Sequence, residues 1–180
     1  MKTATTLDNL QTAFNGESNA RAKYLAFAKQ ADAEGYGKVA ALFRAAARAE
    51  EIHAKNHAAA IGKMGAEPQA DIQPAEVKST RENLQVAIVG ETYEYETMYA
   101  GFLDQVRAEK DAAAERTFHY ASEAEKGHAR LYSDALAHLD AWRVAEPFYV
   151  CPVCGHTVTA VEFSRCPVCS TKGETFEKVA

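Results

Sequence analysis

Apolar residues recur at helical spacing along four long stretches of the chain. Between residues 6 and 34, Leu7, Leu10, Phe14, Ala20, Tyr24, Phe27 and Ala31 fall on one stripe, as an amphipathic helix requires. Gly35-Tyr36-Gly37 breaks it. Val39, Leu42, Phe43, Ala46, Ala49 and Ile52 then predict a second helix over 38–63. Residues 64–78 hold Pro68 and Pro74 and are too long for a tight helix–helix turn. Ser79 with Glu82 forms a capping-box pattern at the start of a third helix, which carries Leu84, Ile88, Tyr95, Met98, Phe102 and Val106 and extends to about Glu109. Asp111 is the expected N-cap of a fourth helix, from Ala112 to about Ala141. The pattern predicts a four-helix bundle with one long crossover over residues 1–145, followed by a small helix-poor domain over 146–180.

Acids interrupt the apolar stripes where a surface acid has no reason to be. Glu17 lies in the first stripe, and Glu50 and His53 lie in the second. Glu50-Glu51-Ile52-His53 recurs as Glu125-Lys126-Gly127-His128. Residues three apart on a helix share a face, so each motif aims one carboxylate and one imidazole the same way, which suits a metal with mixed O and N ligands. Glu17 stands 33 residues before Glu50, and Glu91 stands 34 before Glu125. A Glu followed by Glu-x-x-His, twice, is the ligand set of ferritin-like dinuclear carboxylate bundles. Counted from the turns near Gly35 and Asp111 at ~1.5 Å per residue, all these positions meet near the bundle's mid-height. Glu94 is spaced three from Glu91 and joins the set. Five clustered carboxylates need cations. Two irons supply them, and Glu50 and Glu125 are the natural bridges. Tyr24 and Tyr99, seven residues after Glu17 and eight after Glu91, fit either of two roles, hydrogen-bonding a ligating carboxylate or packing as core aromatics. Glu51, Glu96, Glu115 and Glu123 fall off the inward face. His57 reads as a neighbour of the site, and His119, His138 and His156 have no supporting constellation.

Composition narrows the function. The chain is 47% hydrophobic with a net charge of −5 and no basic tract, which argues against nucleic-acid binding. No stretch is apolar enough to span a membrane, and the opening MKTATTLDNL lacks the apolar core of a secretion signal, so the expected location is the cytoplasm. All four cysteines fall in two knuckles, Cys151-Pro152-Val153-Cys154 and Cys166-Pro167-Val168-Cys169. In a reducing compartment these form a tetrahedral four-thiolate site rather than disulfides. Iron there carries single electrons, and zinc clips a domain too small to fold on its core alone. Tyr149, Phe163 and Phe176 supply its small aromatic core.

The Glu17–Tyr24 stretch, Glu50-Glu51-Ile52-His53, Glu91-Thr92-Tyr93-Glu94-Tyr95, Glu125-Lys126-Gly127-His128 and the two knuckles together resemble the rubrerythrin family over essentially the whole chain. The resemblance implies an all-α ferritin-like bundle with a C-terminal rubredoxin-like domain, a diiron site, a third iron in the cysteine site, and a cytoplasmic homodimer. It implies reduction of hydrogen peroxide to water, with electrons from a donor such as rubredoxin or an NAD(P)H-dependent reductase. It also implies a ligand exchange, in which Glu17 and Glu94 serve one oxidised iron, Glu91 and His128 serve the other, and His53 replaces Glu94 on reduction. Ser170 departs from the glycine usual after a knuckle's second cysteine, a position that favours φ > 0. The bundle site lies about half a helix length from the linker near Trp142–Pro147, which makes the other subunit's site a candidate electron partner. Two further classes fit the same residues, a ferritin-like iron oxidase or store and a zinc-clipped structural module.

Overall fold

The computed structural model describes residues 4–180; the first three residues of the MKTATTLDNL segment lie outside it. Four helical rods form the bundle. α1 (Thr6–Ala33) and α2 (Gly37–Lys63) make an antiparallel hairpin through Gly35, whose φ is +76°. The third rod is not one regular helix. α3 (Thr80–Tyr93) passes into a π-helical segment at Glu94–Met98 and resumes as α4 (Tyr99–Glu109). α5 (Ala112–Ala137) is the fourth rod, and the chain then tightens into a 3₁₀ turn over Leu139–Trp142 instead of staying α-helical to Ala141. Ser79 and Glu82 form the reciprocal capping box of α3. Asp111 caps α5 by accepting from the N–H groups of Ala113 and Ala114 at 2.9 Å.

The crossover between α2 and α3 runs along α1 as an extended strap. Gln11, Asn15 and Asn19, spaced four apart on one face of α1, hold it through backbone groups. The Gln11 carbonyl accepts from the Gln69 N–H, that of Asn15 from the Asp71 N–H and that of Asn19 from the Gln73 N–H, at 2.8–3.1 Å. The Gln11 and Asn19 amides donate back to the oxygens of Glu67 and Asp71. Three side-chain amides thus satisfy backbone groups that a loop would otherwise leave to water.

Two apolar clusters fill the bundle. One contains Tyr24, Phe27, Leu42, Phe43, Leu84 and Tyr132; the other contains Leu10, Ile61, Tyr99, Val106 and Phe118. Between them lies a buried polar layer of Glu17, Glu50, His53, Glu91, Glu125 and His128, each 0–1% exposed.

The C-terminal segment forms a three-stranded antiparallel sheet of β1 (Phe148–Val150), β2 (Thr157–Val158) and β3 (Glu177–Val179), in the order β2-β1-β3. Phe148 and Val150 belong to the same buried cluster as Tyr24 and Phe43, and Trp142 stacks on Phe148. The Gly37 N–H donates to the Arg143 carbonyl at 2.9 Å, and Arg48 on α2 pairs with Glu177 on β3. The sheet is therefore packed along α2 and not held only by its linker. Among the described residues no helix is long and apolar enough to cross a membrane.

Candidate metal centres

Each bundle helix delivers acids to the polar layer. The i, i+3 spacing places Glu50 beside His53 on α2 and Glu125 beside His128 on α5, with oxygen-to-Nδ1 distances of 3.0 and 2.8 Å. Two overlapping groups have mutually close ligand atoms. Glu17, Glu50, His53 and Glu125 form one; Glu50, Glu91, Glu125 and His128 form the other. Glu50 and Glu125 are common to both, as two bridging carboxylates would be. His53 Nδ1 lies 3.0 Å from Glu125 and 3.7 Å from Glu17. His128 Nδ1 lies 3.4 Å from Glu91.

Glu94 stands outside both groups. It opens the π-helical segment, where the regular helical period used to place it beside Glu91 ends. Its Oε2 is nevertheless buried and has no hydrogen-bond partner. The position beside Glu17 that the family resemblance gives to Glu94 in the oxidised state is filled here by His53.

The donor set itself demands cations. Glu17, Glu50, Glu91, Glu94 and Glu125 each keep one buried carboxylate oxygen without a hydrogen bond, those of Glu17, Glu91 and Glu125 facing an imidazole Nδ1, an expensive arrangement unless positive charge fills it. Burial, with the repulsion of neighbouring carboxylates, pushes Glu50 and Glu94 well above the usual range. Burial also raises Glu125, and the attraction of His53 does not cancel it. For Glu17, burial is outweighed by His53 and His57, and for Glu91 by His128, so both are held low. Burial lowers His53 and His128, but the carboxylates around them prevail and raise both. Protons and imidazolium ions here balance charge that two divalent metals would balance better. Oxygen and imidazole donors of this kind suit iron.

Tyrosines fix the outer carboxylate oxygens. Tyr24 Oη donates to Glu91 Oε1 at 2.5 Å, and Tyr99 Oη donates to Glu17 Oε1. Behind Tyr99 lies buried His57, with Nε2 3.0 Å from the Tyr99 hydroxyl and Nδ1 3.0 Å from Thr117 Oγ1. His57 enters neither ligating group. Only its four-residue spacing from His53 marked it in the sequence, because its partners come from two other helices.

The cysteine knuckles mirror one another. Gly155 and Ser170 follow the second cysteines with φ of 76° and 63°, and their N–H groups donate to the oxygens of Cys151 and Cys166 at 3.0 Å. The sulfurs of Cys151 and Cys169 are 3.5 Å apart, and those of Cys154 and Cys166 are 3.6 Å apart. A tetrahedron with corners ~2.3 Å from its centre has edges of about 3.8 Å, so the four thiols, all free, need move little to hold iron or zinc. Without a cation they cannot all ionise. A hydrogen bond from Cys154 pulls Cys151 down to about 5, the same contact drives Cys154 upward, and burial pushes Cys166 up to about 11.

The two centres touch. His53 Nε2 lies 3.1 Å from the carbonyl oxygen of Cys154, and His128 Nε2 lies 3.0 Å from Thr157 Oγ1. Thr157 donates its own proton to the Gly155 oxygen, so His128 is the donor in its bond. Both imidazoles therefore present Nδ1 to the carboxylates and Nε2–H to the cysteine domain. Gly155 packs so closely that a Cβ there would fall 2.3 Å from His53 Nε2. β1 runs back along α2 and brings Cys154 to His53 within one chain. Sequence reasoning missed Gly155 and Thr157, whose only signal is their place just after the first knuckle.

Comparisons agree with this architecture. The family model described as Rubrerythrin matches residues 8–136. Rubrerythrin-2 of Clostridium acetobutylicum is 39% identical, over 98% of each chain. Nigerythrin of Nitratidesulfovibrio vulgaris is 38% identical, over 95% of this chain and 85% of its own. A solved structure of fully reduced, all-ferrous nigerythrin superposes with a TM-score of 0.91 at 36% identity, covering 99% of this chain and 88% of that one.

Proposed function

The chain belongs to the rubrerythrin family, and on that premise we propose that it reduces hydrogen peroxide to water, with electrons relayed through its cysteine site. The single observation that carries this reading is the Cys154–His53 hydrogen bond, which joins a four-thiolate centre to a carboxylate–imidazole centre. An iron store or oxidase has no use for such a junction.

Glu17, Glu50, His53, Glu91, Glu125 and His128 would hold two irons, with Glu94 in reserve, and Cys151, Cys154, Cys166 and Cys169 would hold a third iron or zinc. Bound there, iron would provide two-electron reduction of peroxide at the bundle, with two protons taken up to give water, and single-electron transfer from the external donor at the cysteines. The chain does the rest. Its two apolar clusters exclude bulk water from the polar layer. Tyr24 and Tyr99 orient Glu91 and Glu17, while Cys154 and Thr157 fix both imidazoles with Nδ1 inward. His53 offers the shortest covalent and hydrogen-bonded path between the centres.

The four thiols stay reduced in the cytoplasm, the compartment in which we place the protein, and an external donor such as rubredoxin or an NAD(P)H-dependent reductase is required. Val86, Val89 and Tyr93 leave an apolar stripe of α3 exposed, at 45, 69 and 57%, and a second copy would cover it. Sedimentation of the wild type against Val89→Asp tests the homodimer; an unchanged monomer in both would reject it.

The decisive experiment mixes the reduced, iron-loaded protein with peroxide and with dioxygen in a stopped-flow device. Faster oxidation by peroxide supports the proposal. Faster oxidation by dioxygen with growth of an iron mineral would transfer the protein to the iron-oxidase class. A colourless protein with zinc at the cysteines and no bundle metal would leave only a structural role.

A further inference from the structure

Two irons would satisfy the carboxylate oxygens that the polar layer leaves without hydrogen bonds. They would not satisfy the hydroxyl of Tyr132. This tyrosine on α5 is 0% exposed, and its oxygen has no hydrogen-bond partner. A phenol is protonated at neutral pH and offers a donor, so it needs an acceptor, which a cation is not. Keeping such a donor buried and unpaired is costly. Among the described residues, the other buried hydroxyls without a partner are those of Thr6 and Thr80. Both head their helices, eleven residues before Glu17 and Glu91, and so lie away from the layer.

The Tyr132 side chain runs toward the layer. It follows His128 by four residues and Glu125 by seven, which puts it on the face of α5 that carries both. A long side chain on a helix leans toward the N-terminus, over the preceding turn, and here that turn holds His128. The ring packs against those of Tyr24 and Phe43, with centroids 5.6 and 5.1 Å away. The Tyr24 hydroxyl is already committed to Glu91 Oε1, at 2.5 Å. His128 Nδ1 faces the other oxygen of Glu91 at 3.4 Å. Tyr132 is thus placed beside a ring that touches Glu91 from one side and one turn from the imidazole that faces it from the other.

We propose that the missing acceptor is the substrate: Tyr132 is a catalytic residue whose hydroxyl donates a hydrogen bond to an oxygen of the bound peroxide, on the Glu91 and His128 side of the metal layer. The bond orients the peroxide and stabilises the negative charge that develops on its oxygen. Tyr132 keeps its own proton. The proposal rests on the peroxidase reading of the bundle, and its test separates the two.

Tyr132→Phe removes the hydroxyl and keeps the ring against Tyr24 and Phe43. With bundle metal removed, the variant should melt at or above the temperature of the wild type, because an unpaired donor has been deleted. Its affinity for ferrous ion should be unchanged, because no ligating side chain loses a partner. The iron-loaded, oxidised variant should bind azide about tenfold more weakly, measured from the azide charge-transfer band in difference spectra. Azide is an anion like hydroperoxide but carries no hydrogen, so only a donating hydroxyl can hold it. Unchanged azide affinity would overturn the proposal. A metal-free variant that melts lower, or does not fold, would show that the hydroxyl already has a partner within the chain and would overturn it too. A loss of ferrous affinity would make Tyr132 a support for a ligating carboxylate and would also overturn it. If the wild type reacts no faster with peroxide than with dioxygen, the peroxidase reading fails alone, and a tenfold loss of azide affinity would still place Tyr132 on the small ligand.

Discussion

The carbonyl oxygen of Cys154 accepts from Nε2 of His53 at 3.1 Å, so one backbone group of a thiolate knuckle is hydrogen-bonded to a residue of the carboxylate cluster. The approach depends on Gly155, which adopts φ +76° and leaves no room for a Cβ. Gly155→Ala should cost about 1–2 kcal/mol from the left-handed backbone alone, and more from the displaced imidazole. Thermal unfolding would register the loss. Re-reduction of the bundle site from the cysteine site should slow in the same variant, while metal content at the cysteines is retained. An alanine variant with wild-type stability would show that the knuckle can retreat freely.

Thr157 offers a similar test on the other imidazole. Thr157→Val removes the acceptor for His128 Nε2–H in a fully buried position. Leaving that donor unsatisfied should cost about 1–3 kcal/mol and weaken iron binding by roughly 10–100-fold. Isothermal titration of the metal-free variant with ferrous ion under anaerobic conditions measures the second effect.

The Glu-x-x-His pairs were legible in the sequence because their geometry is local; an i, i+3 pair shares a face whatever surrounds it. The meeting of four such helices followed from counting residues back from two turns. Ser170 was legible too, since the position after a knuckle has its own backbone demand, and the structure gives it φ 63°. Three features were not legible. Glu94-Tyr95-Glu96-Thr97-Met98 reads as ordinary helix, and nothing local announces the π turn. His57 acquires its partners from α4 and α5, which its own helix cannot reveal. Contact between the centres depends on β1 packing along α2, and linker length says nothing of that.

The strap between α2 and α3 should loosen in a defined way. Asn19 accepts from Gln73 N–H and donates to the Asp71 oxygen. These bonds are exposed, so Asn19→Ala should cost only about 1 kcal/mol. Hydrogen exchange would be more telling than melting: the Gln73 amide should exchange much faster, and the amides of α3 should not change.

Removing the metals should reverse the usual pH dependence. In the metal-free protein Glu50, Glu94 and Glu125 are raised above their ordinary value of 4.5, and His53 and His128 above 6.5. The folded state then binds more protons than the unfolded chain, so stability falls as pH rises above about 4.5 and through the raised values. Glu17 and Glu91 act oppositely, but only as pH falls below 4.5. With zinc held at the cysteines, so that the lowered Cys151 does not titrate, protein lacking bundle metal should therefore melt higher at about pH 5.5 than at about pH 8, the five raised bundle groups outweighing the lowered His57 and His156. Iron-loaded protein should not share that decline, because cations replace the protons. Equal melting temperatures at the two pH values without bundle metal would contradict the assignment.

The last prediction concerns which side chain stands beside Glu17. His53 occupies that place here, and Glu94 waits outside with a buried oxygen that nothing satisfies. Such an oxygen is costly to keep, which gives Glu94 a standing reason to move inward when the site gains positive charge. His53 opposes it, held from behind by Cys154. An oxidised metal pair carries more charge and favours the anionic carboxylate, whereas a reduced pair accepts neutral imidazole more readily. Glu94 should therefore turn into the cluster on oxidation and His53 should withdraw, and reduction should restore the arrangement described here. Glu94→Gln keeps the shape but removes the charge, so it should hold His53 in place in both states. Crystal structures of wild type and variant, oxidised and reduced, decide the matter. Wild-type protein with His53 in the cluster and Glu94 outside after verified oxidation would rule the exchange out.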